Sequence, residues 1–181
     1  MADPARVALL RGINVGRAKR VAMAEFRAIV AGLGYRDVRT LLNSGNVLFQ
    51  EPRGVRGDPA SRIEQALLAR LGLVSRVLVL TASQLAHVVK ENSLAIVADN
   101  PRRLMVSLLY QPADRARLKP LTRDSWEPEA LALGGLACYL WCPAGTLESP
   151  LSKAVGRVLC DATTVRNWAT ISKLHQLLEG Q

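Results

Sequence analysis

Histidine, cysteine and aromatic side chains are scarce in this 181-residue chain, and each scarcity narrows what it can do. With only His87 and His175 available, no histidine-built metal centre and no H-E-x-x-H helix can be assembled. The three cysteines, Cys138, Cys142 and Cys160, are odd in number and lack C-x-x-C spacing, which argues against a disulfide framework or a structural zinc site and predicts a reduced, cytoplasmic setting. Aromatic residues make up 4% of the chain, too few for a platform on which the bases of single-stranded nucleic acid stack. Early apolar runs are short as well. The first, residues 7–10, stops at Arg11, short of a signal-peptide core of about 7–15 residues and of a membrane span of about 20, so neither export nor a membrane is expected. No phosphate-binding G-x-x-x-x-G-K-[ST] loop, dinucleotide fingerprint or G-x-S-x-G elbow occurs, and no cofactor is implied.

What the chain does have is an ordinary apolar content, 49%, and an excess of positive charge, +9 overall. That balance describes a folded domain, or two small subdomains, with room for a core. Residues 1–92 carry 12 Arg and 2 Lys against 7 acids, and residues 93–181 carry 7 Arg and 3 Lys against 8 acids, so the basic excess lies in the first half. Such a charge favours polyanions, because Arg and Lys displace counterions from phosphates. Scattered arginines are also an ordinary solvated surface, and Arg outnumbers Lys 19 to 5, a skew that base composition alone produces.

Periodicity orders the first half. Residues 7–10 suit a buried strand; residues 23–33 carry apolar positions at helical spacing and end at Gly34. Residues 38–42 and 47–49 flank Asn43-Ser44-Gly45-Asn46, a hairpin turn signal. Asp58-Pro59 opens a helix to about residue 71, and residues 76–80 form a strand. The order β-α-β-β-α-β is ferredoxin-like, with two helices on one face of a four-stranded antiparallel sheet. Residues 93–181 read as a second, looser α+β subdomain: a helix over 82–92 leads into it, a strand over 104–110 is followed by a short helix over 114–119, a hairpin turns at Gly134-Gly135, and helices over 149–160 and 167–178 close the chain. The strand expected before the last helix shrinks to residues 163–165. The chain is thus expected to be α+β, with subdomains at 1–92 and 93–181.

Arg11-Gly12-Ile13-Asn14-Val15-Gly16, Met23-Ala24-Glu25-Phe26-Arg27, and Asn43-Ser44-Gly45-Asn46-Val47-Leu48-Phe49 resemble, in order and spacing, the N-terminal signature of the bacterial domain-of-unknown-function family 1697. Ser152-Lys153 and Thr164-Val165-Arg166-Asn167-Trp168 resemble the same family's later elements. The resemblance implies an α+β fold of two small subdomains and brings no activity, substrate or catalytic residue with it.

The residues themselves suggest an anion site. Arg11, Gly12, Asn14, Gly16 and Arg17 form a basic, glycine-containing loop between a strand and a helix. Its glycines allow close backbone approach and its guanidinium groups grip phosphate or carboxylate in pairs. Asn43, Ser44 and Asn46 offer further polar groups, or simply make the turn. Lys153 and Arg166, with Lys173, would favour an anion if they met near a helix N-terminus, and Asn167 is placed to cap the last helix. Cys138 or Cys160 with His175 is the sole thiol dyad on offer, and buried structural cysteine is the commoner fate. Three readings stay open: a cytoplasmic binding protein for a phosphorylated or other anionic ligand, nucleic acid included; an enzyme of unassigned mechanism with a polar cleft between subdomains; and an oligomeric interaction protein that pairs with another copy through its sheet edges.

Overall fold

A computed structural model describes residues 4–13 and 20–180. The chain divides into two compact units, Met1–Ser83 with Gln176–Gln181, and Gln84–His175.

The first unit contains β1 (Ala5–Leu10), α1 (Met23–Gly32), β2 (Arg36–Leu41), β3 (Asn46–Gln50), α2 (Pro59–Leu71) and β4 (Val77–Thr81). β1 is antiparallel to both β3 and β4, and the sheet order is β2-β3-β1-β4, the ferredoxin-like order expected from the sequence. Asp58 starts α2 by accepting a hydrogen bond from Ser61 N at 2.9 Å, with Pro59 in the first turn, where its missing N–H costs nothing. Gly72, at φ 60°, ends the helix as its N–H bonds to Leu68 O. Phe26, Ile29 and Val30 of α1 and Ile63 and Leu67 of α2 pack on Ala8, Leu10, Val47, Phe49 and Val77 of the sheet. Tyr35 stacks 4.5 Å from Phe49, and the Arg62 guanidinium lies 5.2 Å over the Tyr35 ring while bonding Leu33 O at 2.8 Å. The alternate residues Val7, Leu9, Leu48 and Leu80 are buried too, so these strands are apolar on both faces.

The second unit repeats the pattern. After α3 (Ala82–Lys90) and a 3-10 turn (Ser93–Ile96) come β5 (Leu104–Leu109), a 3-10 stretch (Pro112–Arg123), β6 (Ala130–Leu133), β7 (Ala137–Trp141), α4 (Pro150–Leu159), β8 (Thr163–Asn167) and α5 (Trp168–Glu179). The sheet order β6-β7-β5-β8 matches that of the first unit when each unit's strands are counted from its own first. Two details differ from the sequence reading. The helix expected at 114–119 is a longer 3-10 stretch, because Pro120 lacks an N–H and its ring would strike the carbonyl of Ala116 in an α-helix. The last strand is complete, pairing from Met105↔Asn167 to Leu109↔Thr163. Asn167 serves both neighbours: it ends β8, and its Oδ1 accepts from Thr170 N and Thr170 Oγ1 at 2.9 and 2.7 Å to cap α5. Leu151, Val155 and Leu159 of α4 pack on Leu109, Cys138 and Leu140. Glu91 pins the Gly134-Gly135 hairpin by accepting from Gly135 N at 2.7 Å. No helix among the described residues is long and apolar enough to cross a membrane.

Candidate functional site

Because β1 runs antiparallel to both its neighbours, its C-terminal end lies beside the N-terminal ends of β3 and β4. The Arg11-Gly12-Ile13 segment, the Asn43-Ser44-Gly45-Asn46 turn and the Ser75-Arg76 approach to β4 therefore meet at one end of the first sheet. Hydrogen bonds hold them there: Leu10 N donates to Gly45 O at 2.9 Å, Arg11 N to Arg76 O at 2.9 Å, and Ser75 Oγ to Arg11 O at 2.8 Å. The register Leu10↔Val77, continued by one step, sets Arg11 directly opposite Arg76, where side chains of an antiparallel pair are neighbours on one face.

Gly45 makes the junction tight. Its φ is +74°, and a Cβ there would stand 2.7 Å from Ile13 Cδ1 and 2.8 Å from Leu10 Cβ. Gly12 also has a left-handed backbone, φ +64°, but no described residue lies within 4 Å of its Cβ position. Asn46 is fully buried, and its Nδ2 donates to Leu41 O and Ser44 Oγ, each at 3.0 Å. It closes the turn rather than presenting an amide at the surface. Ser44 is half-buried and Asn43 exposed. The anion candidates Asn14, Gly16 and Arg17 lie outside the described residues.

Arg76 and Ser75 were not singled out by the sequence reading, which saw residue 76 as the start of a strand. The only local signal is a polar pair before Val77-Leu78-Val79-Leu80; what makes it relevant is pairing with β1, more than sixty residues away.

The second-unit candidates do not come together. Val165 shares a cavity lining with Ser152 and Val155 of α4, so Arg166, next along the strand and paired with Val106, projects to the opposite face from Lys153's helix. Arg166 is buried, and its Nη1 donates to Val165 O at 2.8 Å and to Thr164 Oγ1 at 3.2 Å. Burial lowers its pKa to about 10, countered in part by Tyr110, so the guanidinium stays charged at neutral pH. Lys153 is exposed and lies 3.5 Å from Glu148 Oε2. Lys173 is exposed on α5.

Burial pushes the Cys138 thiol up to about 12 and raises that of Cys142, which leaves Cys138 without a thiolate for nucleophilic attack. Among the described residues no group of three or more His, Cys, Asp or Glu is placed to hold a metal ion.

The fold has a solved counterpart. The conserved bacterial protein SP0830 from Streptococcus pneumoniae matches with a TM-score of 0.77 at 22% identity, over 98% of this chain and 99% of that one. No curated protein matches the sequence. The family described as "Protein of unknown function (DUF1697)" matches residues 4–139, which takes in the first unit, with the two motifs that meet at its sheet end, and the second unit as far as β7; the chain belongs to that family.

Proposed function

We propose that the protein binds a small phosphorylated or otherwise anionic ligand at the end of its first sheet, through Arg11, Arg76 and the polar turn at Asn43 and Ser44. The observation that carries this reading is the Arg11–Arg76 pairing, fixed by the 2.9 Å backbone bond. Like charges placed directly opposite on neighbouring strands repel, and an anion held between two guanidinium groups turns that repulsion into charge-assisted, bidentate contact. Gly12 supports the reading, since its φ is positive and no described residue stands within 4 Å of its Cβ position. The basic excess of the first half of the chain would draw such a ligand in. A compact phosphate-bearing molecule suits the site better than single-stranded nucleic acid, given so few aromatic residues. With two buried thiols and no disulfide-like cysteine spacing, the setting on this reading is the reducing cytoplasm.

Thermal unfolding against nucleotides, sugar phosphates, pyrophosphate and short nucleic acids, at low and moderate salt, tests the proposal. A ligand at a hundredfold excess over its Kd stabilises the native state by about 2.7 kcal/mol. The expected result is a saturable, salt-sensitive rise confined to phosphate-bearing compounds, lost in Arg11→Ala and in Arg76→Ala and kept in Lys153→Ala. An equal rise in all four proteins, or none with any compound, overturns it.

A further inference from the structure

Glycine inside a helix destabilises it relative to alanine and usually answers to a neighbour that needs the space. Gly156, within α4, is exposed, and a Cβ built there meets no described residue within 4 Å. It lies at the rim of a cavity of about 280 Å³ lined by α4 and the second sheet. At roughly 30 Å³ per water, that is room on the order of nine waters.

The lining is of two kinds. Met105, Val155 and Val165 form apolar walls, while Ser107, Thr146, Ser152 and Thr163 contribute hydroxyls, and no charged side chain among the described residues takes part. Ser107 is unusual for its place. It lies 3% exposed on β5, an inner strand of the sheet, and its side chain is hydrogen-bonded to Cys138 on the neighbouring strand. The Thr163 hydroxyl donates to Leu108 O at 2.8 Å. The Ser152 hydroxyl has no protein hydrogen-bond partner among the described residues; only its backbone N–H is engaged, with Ser149 Oγ at 2.8 Å.

We propose that this cavity is a binding site for a small uncharged alcohol, a compact apolar body carrying a hydroxyl that exchanges hydrogen bonds with Ser152. An ion is disfavoured because the lining offers no opposite charge to offset its desolvation. An apolar molecule without a hydroxyl is disfavoured because it would cover the Ser152 hydroxyl without satisfying it. The site belongs to the second unit and is independent of the anion site.

Methyl-13C-methionine NMR reads the cavity directly, since Met105 lines it and Met23, half-buried, packs against the core of the first unit. The probes are 1-butanol, cyclohexanol and phenol, with butylammonium and butyrate as charged counterparts. The expected result is a saturable shift of the Met105 signal with at least one alcohol, with Met23 unmoved and the charged counterparts inert. Gly156→Leu fills the mouth and should weaken the response at least tenfold. Gly156→Ala, which strengthens the helix and so keeps the fold, should weaken it several-fold, as should Ser152→Ala. No saturable Met105 shift, an equal shift at Met23, or an unchanged response in Gly156→Leu and Gly156→Ala overturns the proposal.

Discussion

Gly45→Ala is the substitution on which the account of the sheet end depends most. Gly45 has φ +74°, and placing an L-residue in that left-handed region costs roughly 1–2 kcal/mol. The new methyl would also stand 2.7 Å from Ile13 Cδ1 and 2.8 Å from Leu10 Cβ. The first contact is with the far end of a flexible side chain and can be relieved by rotation. The second is not, because Leu10 Cβ is anchored to the last residue of β1, whose N–H bonds Gly45 O at 2.9 Å. Forcing atoms into a packed site costs typically about 1–3 kcal/mol, so the two effects together should destabilise by about 2–5 kcal/mol. Gly12→Ala supplies the comparison: φ is +64° but no described residue lies within 4 Å of its Cβ position, so among the described residues only the backbone cost of roughly 1–2 kcal/mol applies. Urea unfolding, with the slope checked for constancy, measures both variants. Equal destabilisation in the two, or a Gly45→Ala effect within about 0.5 kcal/mol of zero, would refute the claim that the two motifs are packed together.

Two further outcomes follow from burial and capping. Thiol titration should find one fast cysteine per chain, Cys160, which is exposed, while Cys138 and Cys142 react only on unfolding, because burial raises both thiols and pushes Cys138 up to about 12; three fast thiols would contradict the packing of the second core. Asp58→Ala should destabilise by about 1 kcal/mol through loss of the α2 cap. The hydrogen bond from Ser61 N lowers the Asp58 pKa in the folded state, so this contribution is present above the ordinary carboxylate value of about 4 and is lost as pH falls through the lower folded value. A parent-minus-variant difference that grows on acidification would reverse that sign.

Much of the fold was legible because its signals are local. The apolar run ending at Arg11, the turn residues at 43–46, and the Asp58-Pro59 start of α2 each announce their element within a few residues. The second unit was harder to read where local and distant demands compete. Pro120 turns a helical pattern into a 3-10 stretch, and Thr163–Asn167 contains an arginine and a cap residue, so only its pairing with β5 reveals a full strand. The site was half legible. Arg11 and the Asn43-Ser44-Gly45-Asn46 turn stand out as residues, but Asn46 proved to be the buried clasp of its own hairpin. Arg76 could not be seen, because its relevance depends on a strand register set by the whole sheet. The converse error was to group Lys153 with Arg166, which the alternation of β8 sends to opposite faces.

The most direct test of the central claim, one anion site shared by Arg11 and Arg76, is a double-mutant cycle in pyrophosphate affinity by titration calorimetry, using Arg11→Ala, Arg76→Ala and the pair at fixed low salt. Residues that grip the same anion should be non-additive, with a coupling of about 0.5–3 kcal/mol. Parent-like binding in the double variant, or losses that simply add, would contradict it.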